Sequence, residues 1–271
     1  MRPDSPQDFE PTRAGTKDDP VVYADVGCGP CLMMVHGVPG SMRDFRWLVP
    51  ELVSWARVLV VDLPGFGAAA DTPRGCTLED QADYLDAVVA HAGVDTCWVI
   101  GHSFGAAPAA AFAARNPDRV LGCGFISPVC RQMHRGLRRF VGRALLRRLG
   151  QLPWVGPRVL ERLRRQMISG GFHRSTTLGE VVRVLDLLAA FSFAAYRQFL
   201  GQLGVPTWVV HADDDPLIES DLTVSLAESL PNCSYTRFES GGHNPQKHLA
   251  CEIATSLRSW VLGDDARNEN V

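Results

Sequence analysis

Gly101-His102-Ser103-Phe104-Gly105 sits between the apolar run Cys97-Trp98-Val99-Ile100 and an alanine-rich helix former, Ala106 to Arg115. A strand therefore feeds a helix through a turn that carries a serine at its centre. A tight turn has no room for Cβ atoms near the serine, so glycine at 101 and 105 lets the strand and the helix pass close together. Ser103 is then held exposed at the tip. Its backbone lies at a helix N-terminus, where unpaired N–H groups and the positive end of the dipole favour an anion forming beside it. Because a bare G-x-S-x-G recurs by chance in many chains, the flanking segments carry the weight.

A serine hydroxyl is a poor nucleophile until a base takes its proton, and the base needs a third group to fix its tautomer and stabilise its charged form. For a nucleophile on a strand-turn-helix elbow the expected chain order is serine, acid, histidine. After Ser103, Thr207-Trp208-Val209-Val210 reads as a strand leading to His211-Ala212-Asp213-Asp214-Asp215-Pro216, so three neighbouring aspartates compete for the acid. Tyr235 to Phe238 reads as a short strand that ends at Glu239-Ser240-Gly241-Gly242-His243-Asn244-Pro245. Of the eight histidines, His243 alone follows a strand on a glycine-rich loop at the right place in the order. His91 and His248 fall in polar helical stretches, and His134 and His173 in a helical insertion. Phe125-Ile126-Ser127-Pro128 offers no carboxylate after the preceding strand.

With these residues the chain resembles the α/β-hydrolase family, and four more segments match. His36-Gly37-Val38-Pro39-Gly40-Ser41 is similar to the family's His-Gly-x-Pro loop after the third strand, and Asp62-Leu63-Pro64-Gly65-Phe66-Gly67 to its turn after the fourth. Asn116-Pro117-Asp118-Arg119-Val120 resembles the helix exit into strand six, and Gly204-Val205-Pro206-Thr207 the entry into the acid strand. The resemblance covers roughly residues 20 to 128 and 190 to 262. It implies a mostly parallel, eight-stranded α/β sheet with flanking helices, formed by 1–128 and 190–271, and a helical cap inserted after strand six at 129–189. It also implies roles: Ser103 as nucleophile, His243 as base, and Asp215 as acid, because the family spacing His-Gly-x-x-Asp counted from His211-Ala212 lands there. The backbone N–H groups of Phe104 and Val38 are the implied oxyanion donors; His36 and His211 match positions that are usually structural. Pro108 departs from the family look, and a residue without an N–H five positions into the elbow is expected to bend the helix.

A chain of 271 residues at 46% hydrophobic composition can bury one large core. No apolar stretch is long enough to cross a bilayer; Val181 to Ala195, the best, is broken by Arg183 and Asp186. The opening Met1-Arg2-Pro3-Asp4-Ser5-Pro6-Gln7-Asp8 has no apolar h-region, so a cytoplasmic enzyme is expected, with loosely held tails at 1–19 and 263–271. Cys28-Gly29-Pro30-Cys31 spells C-x-x-C, but it joins two strands, whereas a thiol exchanger places its first cysteine at a helix N-terminus. A plain turn is the better reading. The other six cysteines are scattered singly and read as small buried apolar residues, so no metal and no cofactor is expected.

The insertion has its own character. Leu137, Phe140, Val141, Ala144, Leu145 and Leu149 repeat at three and four, with Arg135, Arg138, Arg139, Arg143, Arg147 and Arg148 on the remaining faces. Pro157 to Ile168 repeats the pattern, with Val159, Leu160, Leu163 and Met167 against Arg158, Arg162, Arg164 and Arg165. Residues 129 to 200 hold 14 arginines, no lysine and 3 acids, while the rest carries 13 basic and 27 acidic residues. Two readings stay open: a solvated lid face, or a surface for peripheral contact with anionic lipid or an acidic substrate. No recognition fold or basic-aromatic interleaving points to nucleic acid.

The expected function is a serine hydrolase cleaving an ester-type bond of a small to medium apolar substrate through an acyl-enzyme. A carbon–carbon (diketone) hydrolase, a thioesterase or a lactonase would use the same residues. The resemblance extends to dehalogenase and epoxide-hydrolase branches, but these use an aspartate nucleophile, which the serine argues against. A non-catalytic binding protein on the same scaffold is the contrasting reading, since fold does not guarantee function; such proteins usually lose a triad member.

Overall fold

The computed structural model describes residues 6–16, 20–72, 75–138, 148–150, 152–169 and 174–263. Eight strands, β1 (Thr12–Gly15), β2 (Pro20–Gly27), β3 (Cys31–Val35), β4 (Arg57–Val61), β5 (Cys97–His102), β6 (Val120–Ile126), β7 (Thr207–Ala212) and β8 (Cys233–Phe238), form one sheet in the order β1-β2-β4-β3-β5-β6-β7-β8. β1 and β2 pair antiparallel, as do β2 and β4; every other neighbour is parallel. Parallel pairing requires crossovers that return across a face, so both faces are covered and the central strands are apolar on both sides. All five residues of β3 and all six of β7 are buried.

The helices in chain order are α1 (Val49–Leu52), α2 (Leu78–His91), α3 (Ala106–Arg115), α4 (Arg135–Arg138), α5 (Gly156–Ser169), α6 (Leu178–Ala190), α7 (Phe193–Gly201), α8 (Ser220–Ser229), α9 (Pro245–His248) and α10 (Ala250–Leu262). The period-two alternation of the strands sorts their side chains into two layers. Met33, Val35, Leu59 and Val99 pack with Tyr84 and Val88 of α2 and Phe112 of α3. Leu32, Met34, Val60 and Ile100 pack on the other face with Phe45, Leu48 and the α10 residues Ile253 and Leu257. Helix α2 starts at a reciprocal cap: the Asp80 N–H donates to Thr77 Oγ1 at 3.1 Å and the Thr77 N–H to Asp80 Oδ2 at 3.0 Å.

Two expectations change, and the plain-turn reading of Cys28–Cys31 holds. Thr12–Gly15 is no loose tail but an antiparallel edge strand on β2. A backbone ladder makes no demand on apolar side chains, and this strand is almost wholly exposed. Pro108 does not act as a helix-breaker: α3 begins at Ala106, so Pro108 falls in the first turn, where the missing N–H has no intrahelical acceptor to lose. The Cys28–Cys31 stretch is the β2–β3 turn, with Gly29 at φ 120. Burial pushes the Cys31 thiol up to about 11, the opposite of an activated thiolate.

All helices from α4 to α7 lie between β6 and β7. In α5, Leu160, Leu163 and Met167 are buried while Arg158, Arg162 and Arg165 are exposed, as the periodicity predicts. Arg139, Phe140, Val141, Arg143, Ala144, Leu145 and Arg147 lie outside the described residues, as does His173. Among the described residues no helix is long and apolar enough to cross a membrane.

Candidate active site

Ser103 occupies the left-handed region at φ 53, a conformation that non-glycine residues hold only when the surroundings impose it. The imposing contacts are backbone. A Cβ on Gly101 would lie 2.3 Å from the Gly105 carbonyl oxygen, and one on Gly105 would lie 2.4 Å from that of Val35. Both glycines are therefore steric requirements of the elbow, as the sequence implies. Gly37 is a third: a Cβ there would come within 2.9 Å of Ser103 Cβ, which shows how closely the loop after β3 approaches the serine.

Residues from three strand ends converge at this point. His243 Nε2 lies 2.8 Å from Ser103 Oγ, and His243 Nδ1 lies 2.8 Å from Asp215 Oδ2. Asp215 is buried, and its other oxygen, Oδ1, accepts the N–H groups of Leu217 at 2.7 Å and Ile218 at 3.0 Å. Burial alone would raise its pKa, but the hydrogen bond and charge of His243 and the two backbone donors outweigh it and hold the carboxyl below its ordinary value. An ionised Asp215 fixes the proton of neutral His243 on Nδ1 and leaves the Nε2 lone pair facing the serine.

The neighbouring aspartates do other work. Asp213 pairs with Arg237 at 2.8 Å on the exposed side. Asp214 Oδ1 accepts the N–H groups of Gly241 at 2.9 Å and Gly242 at 2.7 Å, fastening the loop that carries His243. This positioning role was not visible in the sequence, since nothing in three consecutive aspartates says which one turns toward the next loop. Buried His102 adds a second tie: its Nε2–H donates to the His243 carbonyl at 2.8 Å. Burial first, then the nearby His243, pushes His102 down to about 3, so it is neutral.

Val38 and Phe104 border the same apolar cavity as Ser103 and His243. The loop carrying Val38 is braced from behind. The Leu63 N–H donates to His36 Nε2 at 2.9 Å, so the His36 proton is on Nδ1, which donates to the Gly37 carbonyl at 2.6 Å. Asp62 accepts from the Met42 N–H at 2.6 Å and the Ala68 N–H at 2.7 Å. His36 is thus structural, as the resemblance implies; His211, within 3.0 Å of the Tyr235 hydroxyl, sits away from this chain of contacts.

Two cavities meet at Ser103 and His243. One, of about 70 Å³, is lined on the insertion side by Leu137, Leu163, Met167, Val184 and Leu188. The other, of about 320 Å³, is bordered by Arg43, Asp44, Arg46, Thr176 and Lys247. His134 also faces the apolar cavity, and no periodicity or spacing marks it in the sequence. Its Nδ1–H donates to the Leu217 carbonyl at 3.1 Å, and burial pushes it down to about 4. It is a neutral imidazole whose Nε2 is an acceptor. Among the described residues, no group of three or more histidine, cysteine or carboxylate side chains could hold a metal ion.

A mostly parallel sheet with a serine elbow after its central strand, and an aspartate and histidine following later strands, defines an α/β hydrolase. A family model described as the alpha/beta hydrolase fold matches residues 30–174, and the chain belongs to that family. The chain is 27% identical to the magnesium-chelatase 30 kDa subunit of Rhodobacter capsulatus over 93% of each sequence. It is 28% identical to the 2-hydroxymuconate semialdehyde hydrolase of Pseudomonas sp. (strain CF600), over 89% of this chain and 90% of that one. In shape it is similar to a haloalkane dehalogenase from Bradyrhizobium elkani USDA94, with a TM-score of 0.77 over 96% of this chain and 100% of that chain; at 20% identity this is a likeness of fold.

Proposed function

We propose that the protein is a serine hydrolase that cleaves an ester-type bond of a small to medium apolar substrate. The observation that supports this most is the unbroken relay from Asp215 through His243 to Ser103, with 2.8 Å at both links. In this reading His243 takes the Ser103 proton as Oγ attacks the carbonyl, and Asp215 stabilises the imidazolium. The Val38 and Phe104 amides receive the oxyanion, and His243 returns the proton to the leaving group. Water then releases the acyl group from Ser103 by the same steps. Displacement of a halide by an aspartate nucleophile has no counterpart at an elbow that carries Ser103.

The segment 129–189 acts as the cap in this proposal, since Leu137, Leu163, Met167, Val184 and Leu188 all face the cavity at Ser103. A second reading, hydrolysis of a carbon–carbon bond next to a ketone, is favoured by the similarity to a 2-hydroxymuconate semialdehyde hydrolase over about nine-tenths of each chain. A panel of simple esters, thioesters, lactones and vinylogous diketones separates the two. We expect turnover of short apolar esters; activity confined to the diketones would overturn the ester assignment.

We also propose that the insertion contacts an anionic lipid surface. Trp154 is 83% exposed and stands with exposed Leu152 and Val155 on a turn followed by exposed Arg158 and Arg162. Aromatic and aliphatic tips rimmed by arginine suit such a surface; each cation contributes about 1 kcal/mol, fading over about 8 Å at physiological salt. The protein should co-sediment with acidic vesicles, release with added salt, and lose the binding in a Trp154→Ser, Arg158→Gln, Arg162→Gln variant. Equal binding to neutral vesicles would contradict it.

A further inference from the structure

The wider cavity beside Ser103 is cationic, and its charges are unequally satisfied. Lys247 Nζ lies 2.5 Å from Asp44 Oδ1, and burial of Asp44 is outweighed by Lys247, which keeps that carboxyl ionised. Arg43 lies 3.5 Å from Asp8 on the exposed rim. Arg46 is different. Its Nε is buried and makes no hydrogen bond, and among the described residues no carboxylate lies within ion-pair distance of its guanidinium. Its guanidinium carbon sits 5.9 Å from the centre of the Trp47 ring. Arg46 borders the polar cavity, so a guanidinium held near an indole face and without a carboxylate partner is available there to an anion.

This cavity shares Val38, Ser103 and His243 with the apolar one. A molecule whose scissile carbonyl sits at Ser103 therefore extends into two chemically opposite spaces. Leu137, Leu163, Met167, Val184 and Leu188 line one, and Arg46 with the Asp44–Lys247 pair borders the other. A carboxylate there would meet the guanidinium fork, whereas an aliphatic group would leave it unpaired.

We propose that the polar cavity is a carboxylate-binding subsite anchored by Arg46, and that the substrate is an amphiphilic ester: apolar on one side of the scissile carbonyl and carrying a carboxylate on the other. This rests on the hydrolytic reading of Ser103. Arg46 acts here as a specificity residue, away from the reacting atoms. Its sequence context, Arg43-Asp44-Phe45-Arg46, looks like ordinary surface helix.

Two ester pairs test it. 4-Nitrophenyl butanoate and 4-nitrophenyl hemisuccinate differ by a terminal carboxylate on the acyl side; the butanoyl esters of methyl 4-hydroxybenzoate and of 4-hydroxybenzoate differ on the alcohol side. In at least one pair the charged member should have the higher kcat/KM, by roughly tenfold for a charge-assisted contact. Arg46→Gln should remove that advantage mainly through KM, and Arg46→Lys should restore part of it. A neutral preference in both pairs, or an Arg46→Gln loss equal for both members, would overturn the subsite.

Calorimetry on Ser103→Ala protein separates this from the chemistry. The favoured charged ester should bind more tightly than its neutral mate, and the added Arg46→Gln change should abolish the difference. Arg46-dependent binding with no hydrolysis by the unmodified enzyme would sustain the subsite and remove the hydrolytic reading. Turnover of neutral esters with no Arg46-dependent binding would do the reverse. Thermal melting of each variant shows whether it remains folded.

Discussion

Asp215→Asn should lower kcat by about 10⁴-fold while the protein stays folded. Asparagine keeps Oδ1, so the Leu217 and Ile218 N–H groups retain their acceptor and the turn holds. The atom facing His243 Nδ1 becomes an amide N–H₂. Two donors cannot face each other, so the imidazole proton moves to Nε2 and the ring presents N–H to Ser103 instead of a lone pair. The base is then absent without any change of shape. Asp213→Asn, at an exposed pair with Arg237, and Asp214→Asn, which keeps an oxygen for Gly241 and Gly242, should cost far less. Asp214→Ala should fall between them, because the His243 loop loses both fasteners. Steady-state kinetics on one neutral ester, with melting curves for each variant, ranks the four. A large loss at Asp213 with little at Asp215 would show that another carboxylate orients the base.

What could be read in advance follows from how local each signal is. The Gly101–Gly105 elbow was legible because its demand is made by adjacent residues: strand, turn and helix follow one another, and the clashes at Gly101 and Gly105 come from backbone that such a turn always brings together. The chain order serine, aspartate, histidine was legible for a similar reason, since each follows a strand of the same sheet. Asp215 needed the family spacing as well, because three carboxylates in a row differ only in direction. The β1 strand was not legible: its four residues, Thr12–Gly15, are held by pairing with β2 and not by any apolar pattern of their own.

His134 and Arg46 were missed because their meaning depends on what lies across a cavity. His134 is neutral because it is buried, and it presents Nε2 as an acceptor because the Leu217 carbonyl, 83 residues away, takes its Nδ1–H. Arg46 stands out only because its neighbours Arg43 and Lys247 already have carboxylate partners. The effect expected of Pro108 failed on a boundary: with the helix starting at Ala106, the same residue is tolerated in the first turn.

The second large effect belongs to the serine. The His243 and Asp215 contacts matter chemically only if Ser103 Oγ forms the acyl bond, and removing that oxygen leaves a base with nothing to activate. Ser103→Ala should lower kcat by about 10⁶-fold, because triad members act as a unit, and leave a folded protein that still binds substrate. Kinetics alone does not identify the atom that becomes acylated, whereas a covalent probe does. Fluorophosphonate forms a stable phosphonyl ester with an activated serine as fluoride leaves, and intact-mass and peptide mass spectrometry count and locate the adduct. One adduct per chain is expected, on Ser103, lost in Ser103→Ala and slowed in Asp215→Asn in step with turnover. An adduct on a different residue, or no adduct on a preparation that still hydrolyses its ester, would contradict Ser103 as the nucleophile.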